Sequence, residues 1–424
     1  MDKLSKNITF YQKIKKIFFP FYKSKNIKKL FQILEKDKPN DTQVAMFVGG
    51  CVRKFLKDEI IDDIDIATIF SPEEIKEKFK ESNFKIVDTG IEHGSITVIV
   101  DSNKYEITTL RQDVKTDGRH AEILFTDNWK QDSERRDFTI NAIYMDCRGK
   151  IYDPQNGIND LKNSKINFIG NPSTRIEEDY LRIVRYLRFC IQYNIKYSDS
   201  KIIEAIKLNL NGMKNISKER ILSELYKIFE LKNINILLEN KDINDIFLLI
   251  FPEFKYLERL KKYNFSQNPE LIFSILLIDE KDNHEYFCHK YKISNKLKKD
   301  LSFIASNYIK FKEEKDFLKK DLKKHIYSHG KENIKLIIKF IYCTELKFSS
   351  KSLNNLLNEI EKIVIPSFPF NGQYLKKNGL SEGKEIGFAL KELEKEWLEK
   401  DFNLKAREAI SIVNKIKKSS VLNI

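Results

Sequence analysis

Two glycines and two alternating aspartates set the frame of this sequence, in residues 49–68, GGCVRKFLKDEIIDDIDIAT. The apolar residues 45–48 read as a strand ending at Gly49 and Gly50; a short helix follows, and a second strand carries Asp63 and Asp65. Side chains at i and i+2 of a strand share a face, so both carboxylates project together. Unpaired, they repel. A divalent cation resolves the conflict, because Mg²⁺ takes hard oxygen ligands, often one or two carboxylates plus phosphate oxygens of a substrate. The glycines let backbone N–H groups approach an anion, beside the positive end of the helix dipole. Metal and phosphate sites side by side are the equipment of nucleotidyl transfer. Each half alone also reads as a solvated turn, so the weight rests on the rest of the chain.

The stretch resembles the first motif of the class II tRNA nucleotidyltransferase and bacterial poly(A) polymerase family, GGxVRD, a spacer, then DxDxxT. Gly49, Gly50, Val52, Arg53, Asp63, Asp65 and Thr68 match it. Asp58 stands where a turn glycine is common, and aspartate tolerates a left-handed turn. Lys54 replaces the usual Asp; it brings a positive charge near the triphosphate and leaves the family Asp's role unfilled. Residues 135–142, RRDFTINA, match the second motif. A guanidinium grips phosphate or ribose oxygens in a fork, and a neighbouring carboxylate accepts from a ribose hydroxyl. The resemblance puts the nucleotide-contacting arginine on Arg136 and a ribose reader on Asp137; without it, a surface ion pair is the alternative. Residues 151–161, IYDPQNGINDL, resemble the third motif, DPxxGxxDL, expected to fix the joint between the head and the next domain.

From Pro172 the pattern turns helical. In 174–193, TRIEEDYLRIVRYLRFCIQY, residues Leu181, Val184, Leu187 and Ile191 recur at helical spacing and predict a core face. Asp179, Arg182, Arg185 and Arg188 stand three apart on another side, where helix neighbours meet. Asp179 and Arg182 then present an acceptor beside a donor. Cytosine and adenine each offer an amine donor next to a ring-nitrogen acceptor, whereas guanine and uracil reverse the order, so a wrong base leaves buried polar groups unpaired. The segment resembles the family's fourth motif, EDxxRxxRxxRF, and the alternative is a solvated charged face. Residues 216–228, ISKERILSELYKI, resemble the neck helix of CCA-adding members, S-x-E-R-I-x-x-E, rather than that of poly(A) polymerases.

The chain has 424 residues, which predicts two to four domains. Its net charge of +14 favours an acidic partner such as nucleic acid, although Lys, Asn and Ile are abundant throughout. The cysteines Cys51, Cys147, Cys190, Cys288 and Cys343 form no CxxC pair, which predicts a reducing compartment and no zinc site. No apolar run reaches membrane-spanning length. The basic, aromatic first 25 residues read as an extension leading into a helix over 27–35; a transit segment is the alternative.

Within 41–165 strands and helices alternate, with a helix at 72–81, a strand at 84–87 and a hairpin of 95–100 and 104–110. Glu106 on its second strand is either a third acidic group near the metals, as the resemblance hints, or an edge carboxylate facing water. Residues 111–132 show no periodicity and read as a long polar loop, which in the family assists the change from C to A addition; Arg119 and His120 stand out in it. HEYFCH, 284–289, lacks the HExxH spacing and reads as structural. Residues 368–397 resemble the tail of longer bacterial CCA-adding enzymes, with Gly372, Gly379, Gly383 and Gly387 in turns before a final helix.

The resemblance thus implies an α/β head followed by all-α neck, body and tail domains. The expected spans are an N-terminal extension and helix at 1–40, head 41–165, nucleotide-selecting neck 166–232, body 233–335 and tRNA-binding tail 336–424. It implies a Mg²⁺-dependent enzyme adding CCA to tRNA from CTP and ATP. Asp63 and Asp65 would bind the metal with Glu106 as a catalytic neighbour. Gly49, Gly50, Arg53, Arg136 and Asp137 would hold triphosphate and ribose, Asp179 and Arg182 the base, Arg185 and Arg188 the nucleotide or primer end. Poly(A) polymerase, a CC-adding or A-adding partial enzyme, and a non-catalytic RNA-binding protein remain open. So does monomer against homodimer, in the cytoplasm or, with a transit segment, an organellar matrix.

Overall fold

The computed structural model describes residues 20–39, 42–117, 120–195, 199–314, 317, 319–380 and 383–421. The chain divides into two compact units, Met1–Leu257 with Tyr291–Ile293, and Glu258–Lys290 with Ser294–Ile424.

In the first unit, α1 (Lys25–Leu34) precedes β1 (Ala45–Val48), whose four residues are all buried. Next come α2 (Gly50–Leu56), β2 (Ile64–Thr68) and α3 (Pro72–Phe79). Asp58 takes φ 58°, the left-handed turn its position demands. α3 starts at a capping box, in which Ser71 accepts from the Glu74 N–H and Glu74 returns the bond to the Ser71 N–H. β3 (Lys85–Gly90), β4 (Ser95–Val100) and β5 (Asn103–Thr109) form a meander. Period-two burial of Ile96, Val98 and Val100 fixes its register.

Residues 111–132, read above as a loop, contain a separate two-stranded sheet, β6 (Arg111–Asp117) with β7 (His120–Phe125), and the start of α4 (Trp129–Glu134). Arg119 and the His120 side chain lie outside the described residues. With β8 (Tyr144–Met145) and β9 (Ile151–Tyr152) the main sheet has seven strands in the order β3-β4-β5-β2-β1-β8-β9. β2 and β5 run parallel; the other neighbours are antiparallel.

Helices follow: α5 (Gly157–Lys162), α6 (Pro172–Glu178), α7 (Leu181–Gln192), α8 (Ser200–Asn209), α9 (Lys218–Phe229), α10 (Ile236–Glu239) and α11 (Lys241–Ile250). The single helix expected over 174–193 is broken. Asp179 is extended, at φ −155° and ψ 103°, and its carboxylate accepts the Leu181 N–H at 3.1 Å, starting α7 afresh. The expected neck helix is α9, with Ser217 as its N-cap.

The second unit is helical: α12 (Pro269–Leu277), α13 (Asn283–Tyr291), α14 (Asn295–Glu313), α15 (Leu322–His329), α16 (Lys331–Thr344), α17 (Ser350–Lys362), α18 (Gly372–Lys377), α19 (Lys384–Glu399) and α20 (Ala406–Val421). α12 is buried from Leu271 to Leu277, as befits a helix apolar all round. Trp397, Leu393, Leu375 and Val413 centre a second core. Gly387, expected in a turn, lies inside α19, and Gly372 opens α18. His284 is buried, and desolvation pulls its pKa down, as a structural histidine would have it.

Candidate active site

A polar cavity of about 910 Å³ in the first unit is lined by every residue expected to bind metal or nucleotide; Glu106, the further catalytic candidate, is not among them. Gly49 opens it at φ 71°, the left-handed backbone that ends β1 and turns it into α2. Asp63 lies just before β2, and Asp65 on it. Glu106 is the register partner of Asp65 on parallel β5; it is exposed and outside the lining, yet its charge reaches Asp65. Burial first, then Glu106 and Asp63, push the Asp65 carboxyl up to about 6, against Arg136 and Arg53. A carboxylate crowded by like charges is what a cation would relieve. Among the described residues no three His, Cys, Asp or Glu side chains form a ready metal cage. Two carboxylates completed by substrate oxygens suit Mg²⁺ better than such a cage would.

The arginines are braced rather than loose. Arg53 is buried; its Nε donates to the Tyr193 hydroxyl at 2.7 Å, Nη1 donates to Asn141, and the guanidinium lies 4.8 Å from the Phe189 ring. Arg136 donates to Asp132, Nη2 to Oδ2 at 2.9 Å, and Arg135 reaches the other oxygen at 2.7 Å. Asp132 is wholly buried and also accepts the Tyr144 hydroxyl at 2.7 Å. Burial opposes its ionisation, but the Arg136 and Arg135 charges and these hydrogen bonds prevail and hold its pKa well below the carboxylate range. Asp137, expected to read ribose, is already engaged. Its Oδ1 accepts from Asn141 at 2.8 Å and the Phe138 N–H at 2.9 Å, and its Oδ2 pairs with Arg185 at 2.6 Å. It therefore acts in this structure as the brace of Arg185.

The third motif supports the second. Asp153 caps the N–H groups of Gly157 and Ile158 at 2.8 and 2.9 Å, and Asp160 accepts the Thr139 hydroxyl at 2.6 Å. A Cβ on Gly157 would stand 2.1 Å from the Thr139 carbonyl oxygen, so only glycine lets α5 press against the turn carrying RRDFTINA.

Asp179 and Arg182 both line the cavity, from an extended link and the first turn of α7. Asp179 Oδ2 accepts from Arg220 Nη2 at 2.7 Å, and Arg182 Nη1 pairs with Glu178 at 2.5 Å and the Arg175 carbonyl at 2.7 Å. Arg188 pairs with buried Glu224 of α9 at 2.7 Å. Asp132, Asn141, Tyr193, Arg220 and Glu224 were not singled out. Arg220 and Glu224 belong to the neck pattern and Asn141 to RRDFTINA, each of which offered a signal; Asp132 and Tyr193 have none short of the tertiary fold.

The description Poly A polymerase head domain matches residues 45–167. The mitochondrial CCA tRNA nucleotidyltransferase of Homo sapiens is 34% identical, over 97% of this chain and 95% of that protein. This chain belongs to the CCA-adding tRNA nucleotidyltransferase family. The CCA-adding enzyme of Lactobacillus helveticus is 32% identical over 82% of this chain and 87% of its own length. Among solved structures, the Bacillus stearothermophilus CCA-adding enzyme in complex with CTP shares the fold at TM-score 0.72 and 22% identity, over 95% of this chain and 100% of that one. The Thermotoga maritima enzyme complexed with tRNA matches at TM-score 0.62 and 20% identity, over 94% and 97%. The α/β head and helical remainder expected of the family are thus the fold observed.

Proposed function

We propose that this chain is a template-independent RNA nucleotidyltransferase that adds or repairs the 3′-terminal CCA of tRNA from CTP and ATP. The observation that carries this is one cavity that gathers paired carboxylates, Asp63 and Asp65, with an acceptor and donor able to read a base, Asp179 and Arg182. In each step the terminal tRNA hydroxyl gives up its proton to solvent as its oxygen attacks the nucleotide's α-phosphorus, the new P–O bond forms, and pyrophosphate leaves as the old one breaks. Asp63 and Asp65, with Glu106 behind them, would hold Mg²⁺, which when bound acidifies the attacking hydroxyl and stabilises the leaving pyrophosphate.

The protein's share is orientation and exclusion. Arg53 and Arg136, fixed by Asn141, Tyr193 and Asp132, present positive charge to phosphate and ribose at no reorganisation cost. Asp179 accepts the amine of C or A, and Arg182 donates to the ring nitrogen. G or U present the reverse order, setting a carbonyl against Asp179 and an N–H against Arg182, a mismatch that costs a wrong base ~1–3 kcal/mol per unsatisfied group. Arg185 and Arg188 support the nucleotide or primer end. We read 41–165 as head, 166–232 as neck, 233–335 as body and 336–424 as a tail that meets the tRNA backbone, where phosphate contacts position without reading sequence. We place the enzyme in the cytoplasm, or in an organellar matrix if its basic N-terminus is a transit segment. Among the described residues no helix is long and apolar enough to cross a membrane.

The test is primer extension on tRNA transcripts ending before CCA, after C and after CC, with CTP and ATP, at single-nucleotide resolution. Completion to CCA and arrest there, on all three, is the expected result. Unlimited A addition, or extension of only some primers, would overturn it in favour of a poly(A) polymerase or a partial enzyme.

A further inference from the structure

The family's first motif is broken at Lys54, and the structure shows what stands there. Lys54 lines the cavity beside Gly50, Asp63 and Asp65, and its ammonium donates to the carboxylate of Asp62, immediately before Asp63. The neighbouring Arg53 and Arg136 also line the cavity, each held by buried partners, Arg53 by Asn141 and Tyr193, Arg136 by Asp132. In the Lys54 pair it is the carboxylate that faces water, the Asp62 side chain being 64% exposed and that of Lys54 22%. An ion pair so open to water is weakly held and exchanges readily. A polyphosphate brings several charged oxygens, and a lysine ammonium on its flexible stem is a mobile point charge suited to them.

We propose that Lys54 is a substrate-binding residue for the β- and γ-phosphates of the incoming nucleotide, and that Asp62 parks it when the site is empty. Nucleotide entry moves the Lys54 ammonium from Asp62 to the phosphate oxygens, and pyrophosphate release returns it. Asp62 thereby competes with substrate for one cation. This rests on the cavity being the nucleotide site proposed above, and it supplies a role for the residue that departs from the family pattern.

The pairing makes opposite predictions for the two partners. Calorimetric titration of the full chain with CTP and Mg²⁺, without tRNA so that nothing turns over, gives the affinity directly. Lys54→Met weakens CTP binding about tenfold, the scale of one charge-assisted hydrogen bond. Asp62→Asn tightens it about two- to threefold by freeing Lys54. In the double variant the Asp62→Asn gain vanishes, because Asp62 acts through Lys54. CMP, which lacks both outer phosphates, binds all four proteins alike. A gain that persists in the Lys54→Met background would mean simple repulsion of the triphosphate by Asp62 and would overturn the exchange. An equal loss for CMP, or no loss for CTP, would overturn the phosphate assignment. Failure of the wild-type chain to bind CTP at all would instead strike the nucleotide site itself.

Discussion

Replacing Asp132 by asparagine removes the charge that holds two arginines at the edge of the cavity. Asp132 accepts from Arg135 at 2.7 Å, Arg136 at 2.9 Å and the Tyr144 hydroxyl at 2.7 Å, with none of its own side chain exposed. Breaking a buried pair by removing one partner costs about 3–5 kcal/mol; the amide keeps one acceptor oxygen, which places Asp132→Asn near about 3 kcal/mol. With a urea m-value of about 3 kcal/mol/M for a unit this size, the midpoint falls by about 1 M. Trp129 reports it, since its ring lies edge-on to Tyr144 at 5.6 Å, and a Trp397→Phe background silences the tryptophan of the other unit. The pH dependence follows from linkage. The folded pKa of Asp132 is depressed, so its stabilisation is present above the unfolded value of about 3.9 and is lost as pH falls through the folded value. The gap between wild type and variant should therefore be full at pH 7 and shrink below about pH 4. A midpoint shift under about 0.2 M, or a gap that persists undiminished in acid, would refute the reasoning.

Asp63→Ala should abolish nucleotide addition while filter-binding affinity for tRNA stays within about twofold, since the carboxylate serves chemistry rather than the tRNA backbone; unchanged turnover would sink the metal assignment. Gly157→Ala should destabilise the first unit by about 3 kcal/mol in the same urea titration, because its Cβ would meet the Thr139 carbonyl at 2.1 Å. A loss below about 1 kcal/mol would mean that α5 is not held against the RRDFTINA turn as described.

Much of the head was legible because its signals are local. Period-two burial in β4, the capping box of α3 and the left-handed Asp58 each need only near neighbours. The first, second and fourth motifs brought their side chains to one cavity, and the third packs beneath the second. What stayed illegible depends on distant partners. The β6–β7 hairpin is a sheet of two strands apart from the main one, and its apolar Leu124 and Phe125 are 61% and 47% exposed, adjacent in sequence rather than alternating with polar residues as a half-buried strand would have them. The break before α7 has no proline or glycine to announce it. It accompanies a carboxylate that bonds Arg220, 41 residues on, and caps its own helix. Asp132 looked like one polar residue among many; only the fold reveals that it is buried and what it holds. The same holds for Asp137, whose engagement by Arg185 and Asn141 is tertiary.

The account centres on Asp179 and Arg182 as a protein template for the base, and single-nucleotide misincorporation tests that most directly. Each of CTP, ATP, GTP and UTP is offered alone to transcripts ending before CCA and after CC, with wild type and Asp179→Ala. The wild-type chain should take C on the first primer and A on the second, with G and U refused on both. Asp179→Ala should lose about tenfold or more of that discrimination, as expected when an acceptor no longer distinguishes an amine from a carbonyl. Wild-type selectivity retained in the variant would contradict the protein-template account.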